Sequence, residues 1–293
     1  MMSDSELYYI HSGEKDTGPT MVLTDYWDDS LRSTMLEREI QYLTLSRSAN
    51  WEDQDVNFLK SLDFLKGVGI YAYDIKDVSV LRHLPALEHI GLGCELSVEL
   101  DVSHFSQLRT FYAKHNKKLI NWWEVPTLER LNIENYPFED LVPLRPLASL
   151  ERLQLTSSKL KTLKGINSLK DLKILDLYRC TKLVSLESLS EVKELEEIEI
   201  ETCKRIESLD EFGSLGNLKK VTLNNCGTLL SVAPLKKCLK LSGIVINGDT
   251  SIVDGNISKL LELPALKKYF FVDKKHYDAK QKEVEKILRE KML

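Results

Sequence analysis

Leu172-Lys173-Ile174-Leu175-Asp176-Leu177-Tyr178-Arg179-Cys180 has two echoes further along the chain. The first is Leu195-Glu196-Glu197-Ile198-Glu199-Ile200-Glu201-Thr202-Cys203, and the second runs from Leu218 through Val221 and Leu223 to Cys226. In each stretch apolar residues hold the first, fourth, sixth and ninth places. The same unit is legible upstream as Leu87/Ile90/Leu92, Leu108/Phe111/Ala113, Leu128/Leu131/Ile133 and Leu150/Leu153/Leu155, and downstream as Leu241/Ile244/Ile246. Weaker copies begin at Ile40, Leu65 and Leu266, so about eleven units follow one another at steps of 20 to 25 residues. A fixed period of this length is the mark of a repeat architecture.

Within a unit, the fourth and sixth places lie two apart, which puts them on one face of a strand and the residues between them on the other. The rest of each unit carries apolar residues about three apart, as in Leu160/Leu163/Ile166/Leu169 and Ile206/Leu209/Phe212/Leu215. That spacing suits a short helix or 3₁₀ turn, which Asp210 or Ser214 would begin. No unit covers its own apolar face, so each needs neighbours on both sides.

The unit resembles the leucine-rich repeat, L-x-x-L-x-L-x-x-N/C-x-L, over residues 36 to 273. Its short period is similar to that of the internalin-type and phosphatase-regulatory repeat proteins. The resemblance implies an α/β solenoid: a curved, right-handed horseshoe with a parallel β-sheet on its concave face. In that pattern the asparagine place is taken by Cys180, Cys203 and Cys226, and by Ser48, Tyr73, Glu95, Tyr136, Ser158 and Asp249; Asn116 alone matches. The expected organisation is an N-terminal cap (1–39), the repeat array (40–273) and a C-terminal capping helix (274–293). In the first cap, Leu7 to Ile10 and Met21 to Leu23 read as strands around a turn from Gly13 to Pro19, and Asp29 leads a helix over Ser30 to Arg38. Trp51 to Leu62 reads as an amphipathic helix with Val56, Leu59 and Leu62 inward. Asp278 reads as the N-cap of the last helix, with Tyr277, Gln281, Val284, Ile287 and Leu288 facing the array.

The chain has 293 residues and a formal net charge of −5, without the basic excess usual in nucleic-acid binders. It shows no export signal and no apolar run long enough for a membrane, and it holds five cysteines without a CxxC pair. A cytoplasmic protein with reduced thiols, monomeric by itself, is expected. Phosphate-binding, metalloprotease and nucleophile-elbow motifs are missing, so no cofactor, metal or catalytic residue is expected. Cys180, Cys203 and Cys226 stack at one repeat position, either as a metal ladder or, as the buried turn position favours, as small apolar residues. Gly67/Gly69 and Gly91/Gly93 sit inside strand units, marking either a flattened strand or a ligand close to the backbone.

The strand register also lists the outward side chains. Tyr42, Tyr71, His89, Tyr112, Lys114, His115, Arg130, Asn132, Arg152 and Gln154 form an aromatic and basic group. Asp176 and Tyr178 come next, followed by the acidic stripe Glu197, Glu199 and Glu201. Tyr and Arg are the residues that dominate binding hot spots. Like-charged residues on one strand face repel unless Arg179, Lys220 or a cationic partner offsets them. The expectation is therefore a non-catalytic module that holds a partner protein on the concave face, as inhibitor, immunity protein or regulatory subunit of an enzyme. Binding of nucleic acid or a small anion through Lys114, His115, Arg130 and Arg152 is the alternative, followed by an enzyme of unrecognised type.

Overall fold

The computed structural model describes residues 7–13 and 17–291. They form two compact units, Met1–Ile133 and Glu134–Leu293. The first contains β1 (Tyr8–His11), β2 (Thr20–Leu23), the helix α1 (Ser30–Glu37), β3 (Tyr42–Ser46), β4 (Gly67–Tyr71), β5 (His89–Leu92) and β6 (Thr110–Lys114), and all but the last residue of β7 (Arg130–Glu134). β1 is antiparallel to β2; from β2 to β6 every neighbour pair is parallel and follows chain order. The second unit contains β8 (Arg152–Thr156), β9 (Ile174–Tyr178), β10 (Glu197–Glu201), β11 (Lys220–Asn224), β12 (Gly243–Asn247), β13 (Lys268–Phe271) and the helix α2 (Gln281–Lys291). Its strands are also parallel and in chain order. This is the leucine-rich-repeat solenoid fold.

The leucines that set the period make the core. Leu172, Leu175 and Leu177 are all fully buried, as are their counterparts Leu150, Leu153 and Leu155. From β3 to β12 each strand returns through a turn of 3₁₀ helix, for example Asn57–Ser61, Ile166–Ser168 and Asp210–Ser214. The residue that starts these turns is a repeated cap. Asp55, Asp77, Asp101, Asp140, Thr162, Ser185, Ser208, Ser231 and Asp254 each accept the backbone N–H two residues on. A short side chain that bonds its own backbone favours a turn over a continued strand. Ser208 therefore performs the role expected of Asp210, and Ser214 closes the turn.

Next to the entries of β4 to β11, charges pair between neighbouring repeats: Lys66 with Glu88, Arg109 with Glu129, Glu151 with Lys173, and Glu196 with Lys219. Each exposed pair contributes about 0–1 kcal/mol, and together they favour one register.

The buried turn position lies one residue from where the consensus count puts it in several repeats. Ser157, Thr250, Ala72 and Cys94 are buried there, and Ser158, Asp249, Tyr73 and Glu95 are exposed. Backbone geometry causes the slip. A residue in the left-handed region precedes Tyr136, Cys180, Cys203 and Cys226 (Asn135, Arg179, Thr202 and Asn225), and a residue more or less in the turn changes which side chain swings inward. Cys203 Sγ accepts the N–H of Cys180 (3.4 Å) and donates to the carbonyl of Leu177 (3.6 Å). Cys226 Sγ donates to Ile200 (3.1 Å) in the same way. Thr250 repeats the pattern with a hydroxyl, accepting from Cys226 N–H at 3.0 Å and donating to Leu223 at 3.3 Å. Burial raises the Cys226 thiol to about 12 and the Cys238 thiol to about 11. The three-cysteine stack is thus a hydrogen-bonded core element.

The ends differ from expectation in detail. Residues 14–16 of the anticipated Gly13 to Pro19 turn lie outside the described residues. α1 takes its cap from Asp28, whose carboxylate accepts the N–H and hydroxyl of Ser30, and not from Asp29. Trp51 to Leu62 holds only the short 3₁₀ turn Asn57–Ser61; Val56, Leu59 and Leu62 are buried, and Phe58 stacks on Trp27 (4.6 Å). Asp278 does not cap α2. It accepts from the N–H groups of Ile257 and Ser258, tying the C-terminal segment to the preceding turn. Tyr277, Val284 and Leu288 are buried, but Ile287 is exposed. Gln281 instead seals the edge of β13: its Oε1 accepts from Phe271 N–H (2.8 Å) and its Nε2 donates to Tyr269 (3.1 Å). A covered edge is protected from pairing with other chains.

Candidate functional site

Side chains that do not enter the core project from the opposite face of the strands. In the second unit the register arranges them in three rows that cross the strands. The first row is Arg152, Ile174, Glu197, Lys220, Gly243 and Lys268; the second is Gln154, Asp176, Glu199, Thr222, Val245 and Phe270; the third is Thr156, Tyr178, Glu201, Asn224 and Asn247. Val272 follows β13 and bonds to Ile246 beside the third row.

Asp176 and Glu199 lie directly opposite each other in the middle row. Arg152 reaches diagonally to Asp176 (2.8 and 3.2 Å) and covers it, leaving Asp176 only 4% exposed. It is therefore on the expected face yet not accessible. Burial pushes the Asp176 carboxyl up, and Arg152 only partly offsets it. Burial and then the Asp176 charge push Glu199 up in turn. Burial raises the Tyr178 phenol, and the neighbouring Asp176 and Glu199 carboxylates raise it further. Glu197 is neutralised by Lys220 at 2.6 Å. The acidic stripe is therefore narrower than its sequence: the carboxylates at its centre are Glu199 and Glu201, flanked by an aromatic ring.

In the first unit the rows are Tyr42, Gly67, His89 and Thr110, then Thr44, Gly69, Gly91 and Tyr112. The glycines explain themselves here. A Cβ on Gly69, Gly91 or Gly93 would stand 2.7, 2.4 or 2.9 Å from the Tyr71 side chain, and a Cβ on Gly67 2.4 Å from the Tyr42 ring. The glycines form a bed on which two tyrosines lie flat across the strands. Tyr42 also meets the His89 ring edge-on at 5.5 Å. The space that suggested a ligand near the backbone is filled by the protein's own rings.

Three residues of the expected basic patch are engaged elsewhere. Lys114 pairs with Glu95 (2.8 Å), Arg152 with Asp176, and His115 accepts from Trp122 Nε1 at 3.4 Å in the turn after the strand. Arg130 and Asn132 stand half-exposed on β7. Thr110 is buried in the same face, its hydroxyl without a hydrogen-bond partner among the described residues. Among the described residues, no three His, Cys, Asp or Glu are grouped to hold a metal ion, and no helix is long and apolar enough to cross a membrane.

Val245, Phe270 and Val272 were not anticipated as site residues. They put apolar surface on the outward face at the end of the second unit, Phe270 being 38% exposed. The signal was present, since apolar residues occupy places between the core residues of the last two units, but strong core patterning on either side hides it.

No protein-family model and no curated protein matches the chain. Among solved structures it is similar to an internalin (inlF) from Listeria monocytogenes, with a TM-score of 0.60 at 15% identity, covering 89% of this chain and 82% of that one. It is also similar to the functional domain of InlJ from the same species, which is described as including a cysteine ladder. There the TM-score is 0.57 at 18% identity, over 78% of this chain and 52% of that one. At these identities the likeness is one of fold.

Proposed function

We propose that this leucine-rich-repeat solenoid is a non-catalytic module that holds a partner protein against the outward face of its strands. The observation that carries the reading is the Asp176–Glu199 juxtaposition. Two carboxylates of raised pKa face each other across adjacent strands, where like charges destabilise a sheet. Arg152 already covers Asp176, so the half-exposed Glu199 is the carboxylate on which a cationic partner would convert this cost into attraction. Glu201 and Tyr178 beside them add contact area of the kind that anchors interfaces. The module acts as an inhibitor, immunity protein or regulatory subunit, in a compartment that keeps its five buried cysteines reduced.

Purification of the tagged protein from its source cells tests this. The wild type should carry a stoichiometric partner, and Glu199→Lys with Glu201→Lys should lose it while keeping the wild-type melting temperature to within a few degrees. Retention of the partner by that variant and by Tyr112→Ala with Arg130→Ala would refute the role of this face. A partner lost steeply with modest salt and replaced by nucleic acid would instead favour the anionic-ligand alternative.

A further inference from the structure

We infer that the middle row of the second unit seats an amphipathic basic helix of the partner, lying across the strands with its cationic side chain on Glu199 and Glu201 and its apolar side chains on Val245 and Phe270. This deepens the binding role proposed above and rests on it. Two features of one row define the occupant. At one place is Glu199, half-buried beside Asp176, with Glu201 next to it in the third row; two and three strands further on are the apolar side chains of Val245 and Phe270, with the small Thr222 between. The sign of the charge asks for Lys or Arg, and the half-buried Val245 and exposed Phe270 ask for an apolar neighbour on the same face of the ligand.

Spacing selects the helix. Neighbouring strands are about 4.8 Å apart, so Glu199 lies about 10 Å from Val245 and about 14 Å from Phe270 along the row. Residues on one face of a helix recur every three or four positions, which at about 1.5 Å per residue is about 5 Å, close to the strand spacing. An extended peptide repeats its face about every 6.7 Å and falls out of step with the row. A helix with Lys or Arg at one position and apolar residues seven and about ten positions away matches all three contacts. Gly243 in the first row leaves room for such a body beside Lys220 and Lys268.

The test is selection of binders to the full chain from a library of random 20-residue peptides displayed on phage, followed by affinity measurement with synthetic peptides. The expected winners carry a basic residue followed by apolar residues at the spacing above. They become helical on binding and lose at least tenfold in affinity for Phe270→Asp and, separately, for Glu199→Lys. Phe270 and Val272 are exposed, so both Phe270→Asp and Val272→Asp should leave the melting curve intact and report on binding. Binders lost with Tyr112→Ala but indifferent to Phe270→Asp and Glu199→Lys would overturn the helix site and leave the binding face standing. Binders indifferent to all of these variants would overturn both. Recovery of no binder, or only of peptides without the charge and apolar spacing, would overturn the helix site.

Discussion

Replacing Cys203 by alanine removes one rung of the buried stack. The thiol is fully buried, accepts the N–H of Cys180 and donates to the carbonyl of Leu177. Alanine leaves that N–H in the core without an acceptor, which costs about 1–3 kcal/mol. The void left by the missing sulfur adds about 1 kcal/mol. A total of about 2–4 kcal/mol follows. Serine keeps a donor and an acceptor at the same place, as Thr250 does two positions further along the stack, so Cys203→Ser should cost only about 1 kcal/mol. In a repeat array neighbouring units can open separately, so the local readout is better than a global midpoint. The measurement is amide hydrogen exchange at Cys180. In Cys203→Ala exchange should quicken by roughly 30- to 1000-fold, a tenfold change corresponding to about 1.4 kcal/mol, and in Cys203→Ser by about tenfold or less. Equal exchange in the two variants would refute the hydrogen-bonded ladder and leave packing as the sole role of sulfur.

Gly91→Ala should destabilise the first unit by about 1–3 kcal/mol through the collision of its Cβ with Tyr71; in a Tyr71→Ala background the same substitution should be near neutral, a coupling that urea titration of the four proteins would measure. Thr202 is a β-branched residue at φ 56°, whereas Asn135 and Asn225 serve the equivalent turns, so Thr202→Asn should raise stability by about 0.5–1 kcal/mol, and a lower melting temperature would contradict the strain. Glu199 has its carboxyl pKa raised in the folded state, so ionising it costs stability above that pKa and the cost disappears as pH falls below the ordinary glutamate range. Glu199→Gln should therefore stabilise at pH 7 by about 0.5 kcal/mol and confer nothing near pH 3.5; a gain that is independent of pH would remove the electrostatic cause.

The repeat was legible because its signal is redundant: Leu172, Leu175 and Leu177 recur with the same spacing along the array, and one strong copy supports the weak ones. The caps were less legible because a carboxylate in the sequence does not declare its target. Asp28 and Asp29 are equally good caps for α1 on paper, and Asp278 serves a turn twenty residues upstream. The turn position slipped by one at Ser157 and Thr250 because left-handed residues alter the count without altering the composition. On the outward face, register placed Asp176 correctly but could not reveal that Arg152 would cover it, nor that Lys114 would turn to Glu95; both depend on diagonal contacts between repeats. The glycine pairs were visible as an anomaly, and their cause, the Tyr42 and Tyr71 rings, required three dimensions. Val245 and Phe270 were overlooked because apolar residues among apolar residues read as core.

Hydroxyl-radical footprinting of the protein alone and with its bound partner tests the central claim directly. Tyr178 and Phe270 report on the outward face of the second unit and Tyr112 on that of the first, while Leu230, Val253 and Leu239, each more than half exposed, lie outside those strand rows. The account predicts that the partner protects Tyr178 and Phe270 and leaves Leu230, Val253 and Leu239 as reactive as in the free protein. Protection of those three, with Tyr178, Phe270 and Tyr112 unchanged, would contradict it.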